Sequence, residues 1–224
     1  MTTWTTSSIQ ANGLEVQYHR TGAGSGKPPL LLLHGYTDNA MCWAPVARKL
    51  EDHYDIIMTD ARGHGSTRGP INYMAVYLLA DDAAAVIQAL DIAPAFVWGH
   101  SMGGVQTLSL AARYPSLVRA VILEDPPFMP EYPVILPPDM KQQLEEEARK
   151  AGVFKHKSYE ERFAQGKLEN PGWSDEELVP WAQSKGEFNL DIVPHRENFR
   201  TYHWQAAIEQ VTCPLLLVMG GPQW

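Results

Sequence analysis

The sequence predicts an α/β fold: a mainly parallel sheet flanked by helices, with a helical cap insertion. Two observations support this class. Short apolar runs, typical of strands buried on both faces, alternate with amphipathic helical segments from about residue 29 to residue 124. After residue 126 helical segments follow one another, and the next buried-type strand begins only at residue 213. Alternating strands and helices favour parallel pairing, because each helix carries the chain back to the same end of the sheet.

The first two strands are predicted to form a hairpin, because Asn12 and Gly13 make a two-residue turn between strand-like segments. Four buried-type strands and three helices follow, and one more strand comes after the cap. The predicted strands cover residues 8–10, 14–18, 29–33, 54–58, 95–98, 118–123 and 213–219. The predicted helices between them cover residues 41–50, 74–90 and 102–113.

Four helices are predicted in the cap from their start signals. Asp139 can cap a helix over residues 140–150. Ser158 and Ser174 each begin a capping box, since a glutamate follows three residues later. Pro194 suits the first turn of a helix that continues to about residue 208.

Length and composition are those of a globular chain. The 224 residues are 45% hydrophobic and 20% charged, which excludes wholesale disorder, collagen and coiled coil. We expect residues 1–126 and 208–224 to form the core and residues 127–207 to form the cap. The net charge of −8 excludes nucleic acid as an expected partner, because an acidic chain repels phosphates.

Apolar runs and cysteines bear on the compartment. No apolar run reaches membrane-spanning length, so we expect no membrane partner, and the first residues do not have the pattern of a secretion signal. Cys42 and Cys213 make no disulfide framework. These features together predict a cytoplasmic protein.

The strongest local signal is Gly-His-Ser-Met-Gly-Gly at residues 99–104, between a predicted strand and a predicted helix. This is the strand–turn–helix context of a G-x-S-x-G nucleophile elbow. Gly99 and Gly103 leave room that a Cβ would fill. We therefore expect the Ser101 hydroxyl to point out above the sheet as a nucleophile.

Acyl transfer also needs two N–H donors aimed at the developing oxyanion. One is predicted at Met102, directly after the nucleophile. The other is predicted at Tyr36, in the His-Gly-Tyr segment that follows the strand over residues 29–33. Only backbone N–H groups are assigned this role.

Together these residues resemble the α/β-hydrolase superfamily. The resemblance rests on four segments and covers about residues 14–220. They are His-Gly at residues 34–35, Asp-Ala-Arg-Gly-His-Gly at residues 60–65, the elbow at residues 99–104, and Cys-Pro-Leu-Leu-Leu at residues 213–217. The resemblance implies that residues 60–65 are scaffold, that the substrate is a small molecule, and that hydrolysis needs no cofactor.

An active member also has an acid and a histidine beside the serine. Gly221 occupies the usual place of the acid, so we assign the acid to Asp125, after the sixth strand, with Glu124 as the second candidate. The family places the histidine after an eighth strand, a position that this sequence does not contain. His195 and His203 in the cap remain candidates to face the cavity. We therefore expect weak or no activity from the 224-residue chain.

Many large aromatics occur in the cap, and we expect some to line an apolar cleft. Trp181, Phe128 and Tyr202 are the candidate substrate-binding residues. The first hypothesis is hydrolysis of a carboxylic ester or lactone through an acyl-enzyme. The alternatives are carbon–carbon bond hydrolysis of a dienoic ketone acid, which the resemblance also allows, and ligand binding without catalysis.

Two further expectations concern metals and self-association. No histidine and cysteine cluster has the spacing of metal ligands, so no metal is expected. The apolar strand near residue 215 would be an unpaired edge, and such an edge favours self-association.

Overall fold

A mainly parallel sheet organises the part of the chain that this computed structural model describes, residues 4–71, 74–128, 138–199 and 202–220. Seven strands are found in these residues. They are β1 (Thr5–Ala11), β2 (Leu14–Arg20), β3 (Pro29–Leu33), β4 (Asp55–Thr59), β5 (Ala95–His100), β6 (Val118–Glu124) and β7 (Leu215–Val218). Their spatial order is β1-β2-β4-β3-β5-β6-β7, with β2 antiparallel to both neighbours and the remaining pairs parallel. The predicted fold class is confirmed.

Helices connect the parallel strands and fill the segment between β6 and β7. The α-helices are α1 (Ala44–Leu50), α2 (Val76–Ala89), α3 (Met102–Arg113), α4 (Pro138–His156), α5 (Tyr159–Glu169), α6 (Asp175–Glu187) and α7 (Trp204–Ile208). Shorter 3-10 turns cover Ala40–Trp43, Pro115–Leu117 and Leu190–Phe199. None of the helices in the described residues is long and apolar enough to cross a membrane.

Side chains of β3 alternate between two hydrophobic clusters, one on each face of the sheet. Leu31 and Leu33 pack with residues of α2 and α3, whereas Leu30 and Leu32 pack with Trp43 and its neighbours near α1. Burial on both faces explains why this strand is a continuous apolar run rather than an alternating one.

The predicted capping boxes are observed at both serines. The Ser158 N–H donates to the Glu161 carboxylate at 2.7 Å, and the Glu161 N–H donates to the Ser158 hydroxyl at 3.2 Å. The Ser174 N–H donates to the Glu177 carboxylate at 2.7 Å. Local sequence therefore sets the starts of α5 and α6.

The prediction of one helix from Pro194 to residue 208 is wrong. The chain forms a 3-10 segment, Leu190–Phe199, with Pro194 inside it, and then the short helix α7. Ile192 is fully buried, and the Asn189 N–H donates to the Gly63 carbonyl at 3.1 Å. Docking of this segment on the core thus overrides the local preference for a helix. The limits of core and cap stay a prediction.

The last strand has the apolar sequence of a strand buried on both faces, and the structure leaves it as an exposed edge. Leu216 and Val218 of β7 are 55% and 42% exposed, because β7 is the edge strand next to β6 among the described residues.

Candidate active site

The carboxyl ends of β3, β5 and β6 lie side by side, and each leads into a predicted site segment. Leu33 pairs with Gly99, and His100 pairs with Glu124, so the three strands end at the same level. The Ser101 N–H donates to the Glu124 carbonyl at 2.8 Å, which ties the nucleophile turn to the end of β6. Ligands of open parallel sheets bind at the carboxyl ends of the strands.

Ser101 has the strained backbone of a nucleophile elbow. Its φ and ψ are 51° and −113°, in a region that residues other than glycine rarely adopt. A Cβ at position 99 would lie 2.0 Å from the Gly103 carbonyl oxygen, so only glycine permits this turn. Ser101 is half-buried, and its hydroxyl forms no hydrogen bond within the described residues. The backbone geometry is thus the one expected of a nucleophile elbow, and the role of Ser101 as nucleophile stays a prediction.

The two predicted oxyanion donors lie on segments that meet. Met102 is the first residue of α3, where backbone N–H groups have no acceptor inside the helix. A Cβ at Gly103 would lie 2.1 Å from the Leu33 carbonyl, so the start of α3 packs directly on the end of β3. Tyr36 packs against the hydrophobic cluster that contains Met102. The structure therefore brings Tyr36 and Met102 together, and their assignment as donors stays a prediction.

Asp125 follows β6 in the left-handed region, with φ of 45°. Its N–H donates to the Val218 carbonyl at 2.7 Å, and its carboxylate accepts from the Gly220 N–H at 3.5 Å. Glu124 instead accepts from the Trp98 indole N–H at 2.8 Å. The two candidate acids thus have separate partners, and the catalytic role of Asp125 stays a prediction.

His34 is fixed as scaffold by both of its ring nitrogens. Nε2 accepts from the Ala61 N–H at 2.9 Å, so Nδ1 carries the proton and donates to the Gly35 carbonyl at 2.8 Å. Burial lowers the pKa of His34 from its ordinary value. A neutral ring with both nitrogens engaged has no free site to accept the Ser101 proton.

The turn over residues 60–65 also makes scaffold contacts. The Asp60 carboxylate accepts from the Ala40 and Ser66 N–H groups, each at 2.8 Å. Arg62 and Asp82 form a buried ion pair with N–O distances of 2.7 and 2.9 Å. His64 donates from Nδ1 to the Arg62 carbonyl, and burial lowers its pKa to about 3.

An open cavity of about 600 Å³ lies beside the nucleophile turn. It is lined by His34, Gly35, Asp38, Cys42, Trp43, Pro45, Val46, Trp98, His100, Glu124, Trp173, Glu177 and Trp181. Of the predicted substrate-binding residues, Trp181 lines this cavity. Phe128 stacks on Trp204 with ring centroids 4.6 Å apart, and Tyr202 packs on the core cluster of α3. All three assignments stay predictions.

A second cavity of about 300 Å³ adjoins the loop after β3. It is lined by Tyr36, Thr37, Lys150, Ala151, Phe154, Lys185 and Phe188. Among the described residues the lining has two lysines and no carboxylate. Lys185 is paired with Asp38 behind the wall, so Lys150 is the lysine that can offer its charge to this mainly apolar space.

Sequence reasoning missed an ion pair between α6 and the loop after β3. Lys185 Nζ lies 2.6 Å from Asp38 Oδ1, and both side chains are largely buried. Burial acts to raise the pKa of Asp38, but the neighbouring Lys185 outweighs it and holds that pKa below its ordinary value. The charged Asp38 in the loop after β3 could have indicated a nearby cation. Its partner Lys185 lies 147 residues away, and no local sequence pattern connects the two.

Possible metal ligands do not cluster here: in residues 4–71, 74–128, 138–199 and 202–220, no three histidine, cysteine, aspartate or glutamate side chains are grouped for a cation. The side chain of His195 lies outside the described residues.

Comparison with known proteins adds a family match. Residues 28–176 match the family model described as alpha/beta hydrolase fold. The chain is 38% identical over 102 residues to a 2-(acetamidomethylene)succinate hydrolase of Mesorhizobium japonicum, covering 46% of this chain and 36% of that protein. It is 30% identical over 122 residues to epoxide hydrolase 3 of Mus musculus, covering 53% and 33%. The aligned part thus spans about a third of these curated relatives.

Two solved structures resemble the whole described fold. The N-formylmaleamic acid deformylase of Pseudomonas putida has a TM-score of 0.77 at 25% identity, covering 97% of this chain and 82% of that one. The enol-lactonase of Burkholderia xenovorans has a TM-score of 0.76 at 22% identity, covering 96% and 81%. The second likeness concerns the fold alone.

Proposed function

This chain belongs to the α/β hydrolase fold family, and we propose that it carries the serine site of a small-molecule hydrolase. The proposed substrate is a carboxylic ester or lactone. One observation carries the proposal: Ser101 lies in strained backbone between β5 and α3, and its hydroxyl forms no hydrogen bond with the residues that the structure describes. Strain of this kind at a half-buried serine is typical of a nucleophile elbow. The names of two similar proteins, a 2-(acetamidomethylene)succinate hydrolase and a deformylase, fit a hydrolase of small molecules.

In the proposed reaction the Ser101 oxygen attacks the carbonyl carbon of the substrate and its proton passes to a histidine. The tetrahedral oxyanion accepts hydrogen bonds from the Tyr36 and Met102 N–H groups. Collapse releases the alcohol, which takes the proton, and leaves an acyl-enzyme. Water then attacks the acyl carbon and gives a proton to the histidine; collapse breaks the bond to Ser101, releases the carboxylic acid, and returns that proton to the Ser101 oxygen. Asp125 would orient the histidine and stabilise its charged form.

No histidine of the described residues is hydrogen-bonded to Ser101, so the base of this scheme has no assigned residue. Loss of the base in a serine triad lowers turnover by about six orders of magnitude in the subtilisin series. We therefore expect the 224-residue chain to hydrolyse p-nitrophenyl acetate only weakly. Added imidazole should raise the rate, because it can act as a diffusible base beside Ser101.

The assay needs the Ser101→Ala variant as its control, since imidazole itself cleaves activated esters. The rate increase with imidazole should be absent in Ser101→Ala. An equal increase in both proteins would contradict the serine mechanism. Strong turnover without imidazole that Ser101→Ala removes would support the mechanism and show that a histidine of this chain serves as base.

A second candidate is hydrolysis of an acidic substrate, including carbon–carbon cleavage of a ketone acid. The observation in its favour is the cavity beside Tyr36, whose lining includes Lys150 as a positive charge; Lys185 also lines it but is paired with Asp38. The name of the Mesorhizobium relative, a succinate derivative hydrolase, fits an acid as well. Assaying matched neutral and hemisuccinate esters distinguishes this candidate from the first.

Ligand binding without catalysis is distinguished by labelling. A fluorophosphonate probe phosphonylates a serine that is nucleophilic and has an oxyanion hole. If Ser101 stays unlabelled with imidazole present while a small ester binds, the non-catalytic reading would replace the hydrolytic one.

A further inference from the structure

Lys185 of α6 directs all of its hydrogen-bonding capacity to the loop after β3. Its Nζ lies 2.6 Å from Asp38 Oδ1, 2.9 Å from Thr37 Oγ1 and 3.2 Å from the Thr37 carbonyl oxygen. An ammonium group has three N–H donors, so these three acceptors complete its shell. The lysine side chain is only 10% exposed, which shields the bonds from water. Lys185 therefore has no donor left for a substrate.

The residue that Lys185 holds is strained. Thr37 has φ of 67°, in the left-handed region that a β-branched residue rarely adopts. Such conformations persist only where surrounding contacts hold them. Lys185 bonds both the carbonyl and the hydroxyl of Thr37, and the Asp38 N–H donates to the Gly35 carbonyl at 3.2 Å. These bonds close a turn over residues 35–38 that contains Tyr36.

The charge of Lys185 is compensated by groups that lie next to it. Asp38 neutralises Lys185, and the ammonium lies 5.2 Å above the Trp181 ring, whose face favours a cation. A buried lysine left without such partners would be strongly destabilising. The lysine is thus built into the turn rather than placed at the surface of α6.

We propose that Lys185 is a positioning residue that fixes the turn over residues 35–38 and thereby aims the Tyr36 N–H at the oxyanion. Its catalytic consequence rests on the proposed function, because Tyr36 is the donor assigned there. Lys185 itself does not touch the reacting atoms. Since α6 lies in the predicted cap, the turn is held only while this helix is seated on the loop.

The test combines hydrogen exchange with labelling of Ser101 in the 224-residue chain, with imidazole present. Lys185→Met keeps the length of the side chain and removes its charge. We expect about tenfold faster amide exchange in residues 34–38 and about tenfold slower maximal phosphonylation, with an unchanged half-saturating probe concentration. Lys185→Arg keeps the charge, so its amide exchange and its phosphonylation rate should both stay close to those of the parent chain.

Lys167→Met is the matched control. Lys167 is a cap lysine paired with Asp175 at 3.6 Å, but it is 62% exposed and lies outside both cavity linings. Lys167→Met should leave the amide exchange of residues 34–38 and the labelling of Ser101 unchanged. Asp38→Asn should reproduce the local effect of Lys185→Met, and the double variant should add little to either.

Three results would overturn the proposal. The first is unchanged exchange at residues 34–38 in Lys185→Met. The second is a loss confined to probe affinity. The third is loosening of β4 and α2 in the double variant as large as that of residues 34–38, since no unpaired buried charge remains in it and the pair would then serve general stability. If Ser101 is unreactive even in the parent chain, the proposed function fails, while hydrogen exchange still decides the role of Lys185.

Discussion

His64 is 1% exposed and packs edge-on against the rings of Tyr36 and Phe188. Its Nδ1 donates to the Arg62 carbonyl at 2.8 Å, whereas Nε2 has no hydrogen-bond partner in the described part of the chain. Protonation would place a charge on that buried, unpartnered nitrogen. Burial therefore lowers the pKa of His64 to about 3. The residue supports the site loop only in its neutral form.

Acid should destabilise the fold through His64. The unfolded chain binds a proton at this residue below about pH 6.5, while the folded chain does not until about pH 3. The stabilisation is thus fully present above pH 6.5 and is lost as the pH falls towards 3. Between pH 7 and pH 5 this residue should lower the free energy of unfolding by about 2 kcal/mol. Urea denaturation at both pH values measures the change.

The variant His64→Asn isolates this contribution, because its amide can still donate to the Arg62 carbonyl. The drop in unfolding free energy between pH 7 and pH 5 should become smaller by about 2 kcal/mol. His53→Asn, the same substitution at an exposed loop position, should leave the drop as it is in the parent chain. An unchanged pH dependence in His64→Asn would show that His64 is protonated without penalty.

At the scale of elements, the junction of β3 and α3 depends on a glycine. A Cβ at Gly103 would meet three backbone atoms, 2.1 Å from the Leu33 oxygen, 2.6 Å from the Leu33 carbon and 2.9 Å from the His34 oxygen. Backbone cannot rotate away as a flexible side chain does, so α3 would have to move from β3. That movement would displace Ser101 and the Met102 N–H together.

We expect Gly103→Ala to lower the free energy of unfolding by about 2 kcal/mol and to remove Ser101-dependent ester cleavage. Gly152→Ala is the matched control, because Gly152 lies inside α4 with no atom within 4 Å of the added Cβ. That substitution should stabilise the chain by about 0.5–1 kcal/mol, since alanine is the better helix former. Denaturant unfolding and the ester assay of the two variants provide the measurements. Parent-like activity in Gly103→Ala would mean that the junction tolerates the shift.

The elements that local signals define could be predicted from the sequence. Ser101 between its two glycines and the capping boxes at Ser158 and Ser174 depend on neighbours within a few residues, and each is found where expected. The helix expected after Pro194 fails because burial of Ile192 against the distant turn at Gly63 determines the backbone there. Long-range packing of this kind leaves no periodic trace in the sequence.

The ion pair beside the candidate site could not be predicted either, because its two residues are far apart in the sequence. Asp38 and Lys185 are 147 positions apart, and nothing in either local sequence pairs them. The base of the serine mechanism is a different case, since family resemblance specifies its residue type but the sequence contains no segment at its usual position. Position at a strand end does not by itself define a catalytic role, because scaffold residues such as His34 occupy the same kind of position.

Considered as a whole, the two faces of the described sheet are covered unequally. One face packs against α2, α3 and α7, whereas α1 and the turn before it cover the other face mainly over β3 and β4. An open groove of about 420 Å³ crosses the uncovered strands, and its lining includes Phe96, Trp98, Ile122 and Leu216. This groove continues into the edge strand β7.

Exposed apolar side chains and unpaired backbone groups coincide on β7, and such an edge pairs readily with another chain. We expect the 224-residue chain to self-associate through it. The net charge of −8 repels a second copy, but physiological salt screens exposed charges beyond about 8 Å, so the contact at the edge should dominate there. Sedimentation velocity over a range of protein concentrations should show the weight-average mass rising with concentration.

Two substitutions of valine by lysine separate the edge from general surface hydrophobicity. Val218 and Val179 are each 42% exposed, but Val218 lies on β7, an edge strand of the described sheet, whereas Val179 lies on the helix α6. A lysine at position 218 would face Glu124, its partner in the register of β6, so the strand can keep its place in the sheet while its edge gains a charge. Val218→Lys should weaken association at least about tenfold, and Val179→Lys should leave it unchanged, because charge on an edge strand opposes pairing with a second edge. Equal weakening by both variants would instead assign the association to exposed apolar surface of any kind, and a concentration-independent monomer mass in the parent chain would contradict association through β7 altogether.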